Sequence, residues 1–273
     1  MSSVSATTKT TSVPKGRDMF ASKLGVIVAT LGSAVGLGNI WKFPYLTGVN
    51  GGAAFVILYS LCTLVVGLPV MITEHSLGRT ARADAIQTFK KLAPNSAWWL
   101  VSGAGVISAF LISSFYTEVM GWVFAYIAKA IKGSILSSSP EVTSSAFSSL
   151  ISDPVQSLVY QWIVLAWIAL IIGLGVSKGI ERVVKALMPV LFGILLVVCI
   201  RSLTLPGAVE GLRFLFKPDF SKVTGATVLT AMGLSFFKLS VGMGTMITYG
   251  SYFHKDQDIP ATAVRVMLSD VLV

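Results

Sequence analysis

The sequence predicts an all-α integral membrane protein in which two of the apolar helices are broken in mid-span. Three observations lead there. Hydrophobic residues make up 54% of the 273 and charged residues only 12%, against roughly 45–50% and about 25% in soluble domains. Apolar runs recur at lengths near the ~20 residues that a bilayer crossing needs. Two of these runs, at 24–46 and 226–252, are interrupted by small and polar residues. The first interruption is Gly32-Ser33-Ala34-Val35-Gly36-Leu37-Gly38-Asn39 and the second is Phe237-Lys238-Leu239-Ser240-Val241-Gly242-Met243-Gly244. A broken helix frees backbone carbonyls and amides that hydrocarbon cannot solvate, so it persists only where those groups line a cavity or hold a ligand. Four complete apolar segments lie between the two. The breaks therefore fall in segments one and six, equivalent positions of a five-helix repeat. Such a pair points to the midplane site of a secondary transporter.

Taken in order, residues 1–23 are polar, rich in Ser and Thr, and carry Lys9, Lys15, Arg17 and Lys23. They hold no apolar stretch ahead of a small-residue cleavage site, so they read as a cytoplasmic tail rather than a signal peptide. Seven apolar segments follow, at about 24–47, 53–78, 97–130, 158–176, 182–204, 226–252 and from 260 to the end. The third is longer than a crossing needs, which implies tilt or projection into water. The serine-rich stretch at 134–149 reads as a loop with no packing signal of its own. The seventh segment opens at Pro260, a residue suited to a first helical turn. It stops at Val273, short of a crossing, and reads as cut off. The organisation expected is a tail at 1–23, a first repeat of membrane helices one to five at 24–204, and an extracellular loop, helix six and a truncated helix seven at 205–273.

The net charge of +9 is distributed unevenly. The short loop after segment two carries Arg79, Arg82, Lys90 and Lys91, and the one after segment four carries Lys178, Arg182 and Lys185. Loops of the opposite parity are longer and mixed, with Glu141 and Asp153 in one and Glu210 and Asp219 in the other. Basic residues concentrate on the cytoplasmic side of membrane proteins, so the expected placement is a multi-pass plasma (inner) membrane with the amino terminus inside. The basic excess thus implies the lipid bilayer as partner, not nucleic acid, and leaves the oligomeric state open. Cys62 and Cys199 lie in apolar segments without disulfide or metal spacing and read as packing residues. His75 and His254 are far apart, and no Ser/His/Asp, metal-ligand or phosphate-loop arrangement is present. Gly36-x-Gly38 lacks the strand context of a dinucleotide site, so the sequence does not read as an enzyme.

The string from Gly32 through Gly38-Asn39-Ile40-Trp41-Lys42-Phe43-Pro44-Tyr45, followed by Asn50-Gly51-Gly52-Ala53-Ala54-Phe55, resembles the neurotransmitter:sodium symporter family, whose bacterial members are mostly sodium-coupled amino-acid transporters. The resemblance continues through Gly67-Leu68-Pro69 with Glu74 and Gly78-Arg79, Phe115-Tyr116 with Gly121-Trp122, Ser177 to Arg182, Met188-Pro189, Ile247-Thr248-Tyr249 and Lys255-Asp256-Gln257-Asp258. It implies a broken-helix fold of two inverted five-helix repeats, of which this chain would hold the first repeat, helix six and the start of helix seven. It also implies sodium-dependent-type symport of a neutral amino acid, a small-molecule partner. Ser33, Ala34, Gly36, Leu37 and Gly38 would then meet the substrate's amino and carboxylate groups. Tyr116 would hydrogen-bond the carboxylate, with Ile112 one helical turn earlier on the same face. Phe237 would cap the pocket from outside, and Ser240 and Met243 would line the side-chain subsite. Carbonyls of Gly32 and Val35 match half of the second sodium site; the Ala34 carbonyl and the Asn39 amide oxygen match part of the first. Arg17 and Phe20 match the inner gate, and Glu74 a carboxylate that braces the broken helices. Lys42 replaces an outer-gate arginine and loses its bidentate fork, which implies a looser gate. Gly179 and Pro189 match a pair that lets helix five unwind, although a proline kink is an equally good local reading.

Two positions depart from the family pattern at the first sodium site. Lys238 stands where a hydroxyl ligand of the first sodium belongs, and register from Asp258 puts Asp270 where helix seven supplies an amide. An ionisable residue inside a bilayer costs at least ~2.5–3.5 kcal/mol on insertion scales. As a pair the two make sense, the ammonium taking the sodium's place and the carboxylate balancing it; snorkelling of Lys238 is the alternative. Sodium is therefore expected at the second site and in doubt at the first. Chloride is not expected: Tyr59 matches a chloride ligand, but Leu234 replaces a glutamine and Lys238 a hydroxyl. Glu118 lies about 200° around the helix from Tyr116, away from the pocket. A proton-coupled amino-acid transporter and a non-transporting membrane fragment or partner subunit are the competing readings.

Overall fold

The computed structural model describes residues 20, 23–133 and 139–273. Arg17 and nearly all of the predicted tail lie outside the described residues. The first apolar segment consists of α1 (Lys23–Ala34), a break at 35–37, a π-helical turn (Gly38–Lys42) and α2 (Phe43–Val49). Its two halves meet at 41°. The second segment runs unbroken for 29 residues through α3 (Ala53–Cys62), a π-helical turn (Thr63–Gly67) and α4 (Leu68–Ala81). The wide turn sits just ahead of Pro69, whose ring and missing N–H disrupt the normal ladder there.

A short α5 (Ala85–Leu92) follows, its amino end capped by Asp84 Oδ1 accepting from Gln87 N at 2.9 Å. Beyond it come the 33-residue α6 (Trp99–Ile131), α7 (Pro140–Ser152) and α8 (Pro154–Gly173). A π-helical turn (Val176–Glu181) leads into α9 (Arg182–Leu203), with Gly179 in that turn and Pro189 inside the helix. Then come α10 (Ala208–Phe216), α11 (Gly225–Lys238), a second break at 239–244, α12 (Thr245–Gly250) and α13 (Ile259–Leu272). Pro260 lies in the first turn of α13, and Asp258 caps it by accepting from Ala261 N at 2.9 Å.

Among the described residues, Ala53–Ala81, Trp99–Ile131, Pro154–Gly173 and Val176–Leu203 are long and apolar enough to cross a bilayer; counted as one span, the bent pair of segment one adds a fifth. Of the seven segments expected, the last two are represented by α11, α12 and α13, none of which reaches that length alone. The outward faces of α8 and α9 expose residues such as Trp162, Leu196 and Val197 at 60% or more, a surface suited to lipid.

The serine-rich stretch does not behave as a plain loop. Residues 140–152 form α7, with Leu150 fully buried. Phe147 stands edge-on to Trp122 at 5.5 Å, and Lys129 Nζ donates to the Ala146 carbonyl at 2.9 Å. These tertiary contacts supply the packing that the serines lack. The connection at 205–222 likewise contains α10.

The core lies where the two breaks cross. Ala34 at the end of α1, Met71 of α4, Leu239 and Val241 of the second break, Met246 of α12 and Ala263 and Val266 of α13 form one buried cluster. Glycines let α4 and α12 come this close: a side chain at Gly78 would run into the Ile247 carbonyl, and one at Gly250 into that of His75. Arg79 Nη1 donates to the Gln257 carbonyl at 2.6 Å, and Arg82 Nη1 to that of Ser251 at 3.3 Å. The second half of segment six is thereby bound to the carboxyl-terminal half of α4.

Candidate functional site

The break in segment six requires backbone that turns left-handed. Gly242 and Gly244 have φ of +82° and +79°, which glycine adopts without penalty. Ser240, with φ +54°, does so at a cost, and its Oγ donates to the Ser33 carbonyl at 3.0 Å. That bond ties the two breaks together. The freed amide of Gly242 donates to Glu74 Oε1 at 2.6 Å, so α4 supplies the acceptor that hydrocarbon cannot.

Between the breaks lies a cavity of about 250 Å³. Ser33, Ala34, Gly36, Leu37, Gly38, Ile112, Tyr116, Phe237, Ser240 and Met243 all line it, together with Gly32 and Lys238. The first break, Tyr116 and Ser240 bring the polar groups of its lining, and Leu37, Ile112, Phe237 and Met243 the apolar ones. Tyr116 and Phe237 meet edge-on with centroids 6.0 Å apart. Phe237 also lines a second cavity of about 350 Å³, shared with Trp41, Lys42, Leu46 and Leu234, so its ring stands between the two. Lys42 is exposed, its Nζ 5.9 Å from the Trp41 ring centroid.

On the opposite side, Phe20 is buried among Tyr249, Tyr252 and Phe253, with ring centroids 6.0–6.3 Å away. Its carbonyl accepts from His254 Nε2 at 2.7 Å. Gly32 packs against Val184 of α9, and Val35 N donates to the Leu31 carbonyl at 2.7 Å. Glu118 is off the cavity and accepts from Trp122 Nε1 at 3.0 Å on its own helix.

Beside the cavity is a buried polar cluster. Lys238 Nζ lies 3.5 Å from Asp270 Oδ2 and 3.3 Å from the Asp270 carbonyl. Tyr59 Oη donates to the same Oδ2 at 2.5 Å. Asn39 Nδ2 donates to Asp270 Oδ1 at 3.0 Å and to the Asp270 carbonyl at 3.2 Å. The amide orientation follows from the network, because the Asp270 oxygens only accept. Asn39 Oδ1 then faces the Gly36 N–H at 3.4 Å. Both charged side chains are nearly inaccessible, at 1% for Lys238 and 0% for Asp270. Register alone placed Asp270 near Lys238; it gave no sign of the Tyr59 and Asn39 bonds to the carboxylate. Phe43, within the Gly38–Tyr45 string, also touches this cluster and carried no distinguishing signal in sequence.

The comparisons with known proteins agree with this architecture. The family model for the Sodium:neurotransmitter symporter family matches residues 17–143 and 146–272. A Bacillus subtilis (strain 168) protein described as "Uncharacterized sodium-dependent transporter YhdH" is 43% identical over 254 residues, covering 93% of this chain and 56% of its own length. The Bos taurus "Sodium-dependent neutral amino acid transporter B(0)AT2" is 27% identical over 285 residues, covering 93% of this chain and 38% of its own. The crystal structure of MhsT in complex with L-phenylalanine superimposes with a TM-score of 0.89 at 45% identity, over 93% of this chain and 58% of that one. The chain thus spans little more than half the length of the nearer of these relatives. It belongs to the Sodium:neurotransmitter symporter family, a family of transporters and not of enzymes.

Proposed function

We propose that this chain forms the substrate-binding part of a sodium-dependent symporter for a neutral amino acid. The observation that carries the reading is the cavity between the two helix breaks. Its backbone and hydroxyl groups suit an amino acid's charged ends, and its Leu37, Ile112, Phe237 and Met243 wall suits an apolar side chain. Half-helix ends aimed at a midplane site are the usual means by which broken-helix transporters hold substrate and ion. The phenylalanine bound by the related MhsT fits the same substrate class.

Within this reading, the second sodium is held in part by the carbonyls of Gly32 and Val35. The first is replaced by the Lys238/Asp270 pair: a sodium requires oxygen lone pairs, whereas here Asn39 turns its N–H groups to Asp270 and Lys238 brings an ammonium. Chloride is dispensable, because the Tyr59 hydroxyl donates to Asp270 instead. Phe237 and Lys42 serve the outer gate and Phe20 the inner, with Arg17 as its partner. The amino terminus faces the cytoplasm, residues 24–204 make the first repeat, and 205–273 contribute a loop and helices six and seven. The test is uptake of radiolabelled L-leucine and L-phenylalanine by the complete protein in proteoliposomes. An inward sodium gradient should drive saturable uptake of at least one, without chloride. Uptake indifferent to sodium would refute the symport reading.

A further inference from the structure

The Lys238 ammonium is enclosed by more than its carboxylate. Its Nζ lies 4.3 Å from the centroid of the Phe43 ring and 4.6 Å from that of Tyr59, well inside the ~6 Å reach of a cation–π contact. The contacts with Asp270, at 3.5 and 3.3 Å, are longer than the ~2.7–2.9 Å of a tight charge-assisted bond. The short bond to Oδ2 belongs to Tyr59 Oη, and Oδ1 receives Asn39. The carboxylate therefore accepts its tightest hydrogen bonds from Tyr59 and Asn39, while the ammonium is seated against two aromatic faces. The rings brace each other edge-on, with centroids 5.0 Å apart at 64°. Tyr59 thus plays two parts, its ring against the cation and its hydroxyl on the balancing anion.

We propose that Phe43 and Tyr59 are positioning residues that hold the Lys238 ammonium in an aromatic cage. The cation's place is then set by the outer half of helix one and by helix two, as well as by Asp270 on helix seven. Phe43 rides on α2, directly after Trp41 and Lys42, which line the outer cavity. Movement of α2 away from α11 strips one wall from the ammonium, so the cage links the buried charge to the outer gate. That consequence for transport rests on the reading of Lys238 as the sodium's replacement; the cage itself does not.

The cage has a spectroscopic signature. In the complete protein labelled with ¹⁵N-lysine, the Lys238 ammonium resonance, identified by its loss in Lys238→Met, should be shifted upfield by the ring currents of two aromatic faces. Phe43→Leu should move it back toward the other lysines, as should Tyr59→Leu, whereas Phe43→Trp and Tyr59→Phe should keep it upfield. Substrate affinity should fall about thirtyfold in Phe43→Leu, the scale of a desolvated cation–π contact, and recover in Phe43→Trp. A Lys238 resonance that stays in place in both leucine variants overturns the cage. Sodium dependence unchanged in Lys238→Met overturns the sodium-replacement reading instead, and the ring-current shift then still supports the cage.

Discussion

Lys238 and Asp270 are 32 residues apart in the chain and meet with Nζ 3.5 Å from Oδ2, each almost inaccessible to solvent. Each is the other's counter-ion in a site closed to solvent. A buried ion pair adds little net stability, but removing one partner strands the second charge and costs ~3–5 kcal/mol. Lys238→Met should therefore damage the complete transporter more than Lys238→Met combined with Asp270→Asn, as read by thermal unfolding and by uptake. Lys238→Thr with Asp270→Asn restores two neutral oxygen ligands and should steepen the sodium dependence of uptake. An unchanged sodium stoichiometry in that double variant would rule the replacement out.

Tyr116 lines the cavity beside the freed backbone of the first break. A hydrogen bond to a charged group contributes ~1.5–3 kcal/mol. Tyr116→Phe should weaken amino-acid binding by about tenfold to a hundredfold while leaving the unfolding temperature of the ligand-free protein nearly unchanged. Equal affinity of the two proteins in equilibrium binding would remove Tyr116 from the substrate's partners.

Glu74 accepts from the Gly242 amide at the second break. Glu74→Ala leaves that amide unpaired away from water, at a cost of ~1–3 kcal/mol; Glu74→Gln keeps an acceptor and should lose less than half as much. The ordering of the two variants in thermal unfolding checks the bracing role, and equal losses would contradict it.

Gly78 lets α4 contact the α12 backbone. Any side chain there must push against the Ile247 carbonyl, which belongs to a helix and cannot yield locally. Overpacking of this kind costs ~1–3 kcal/mol, so Gly78→Val should lower the unfolding temperature. Gly103→Val, at a position with open space around it, is the control and should not produce a comparable drop.

The charge asymmetry of the loops gives an orientation that chemistry can read. In a background with Cys62 and Cys199 replaced by alanine, a cysteine at Ser144 of α7 should react with an impermeant thiol reagent added to intact cells. One at Gln87 of α5 should react only after permeabilisation. The reverse pattern would invert the proposed topology and exchange the inner and outer gates.

The sequence by itself determined the long apolar helices, the solvent around them and the location of the two breaks. Composition and segment length report what each stretch can be dissolved in, and Gly32–Asn39 and Phe237–Gly244 could not be mistaken for ordinary helix interior. The cavity residues were legible too, because most cluster on the breaks themselves. Other features were invisible because they depend on segments far apart in the chain. Residues 140–152 look like a serine-rich loop until Phe147 finds Trp122 and Leu150 is buried. The bond from the Asn39 amide to Asp270, 231 residues later, shows only in the folded chain. So does the bond from the Tyr59 hydroxyl to the same carboxylate, 211 residues away. A side chain's donors and acceptors are fixed by its covalent structure, but which of them are spent is decided by the groups that packing brings within about 3 Å, and only the tertiary structure makes that choice.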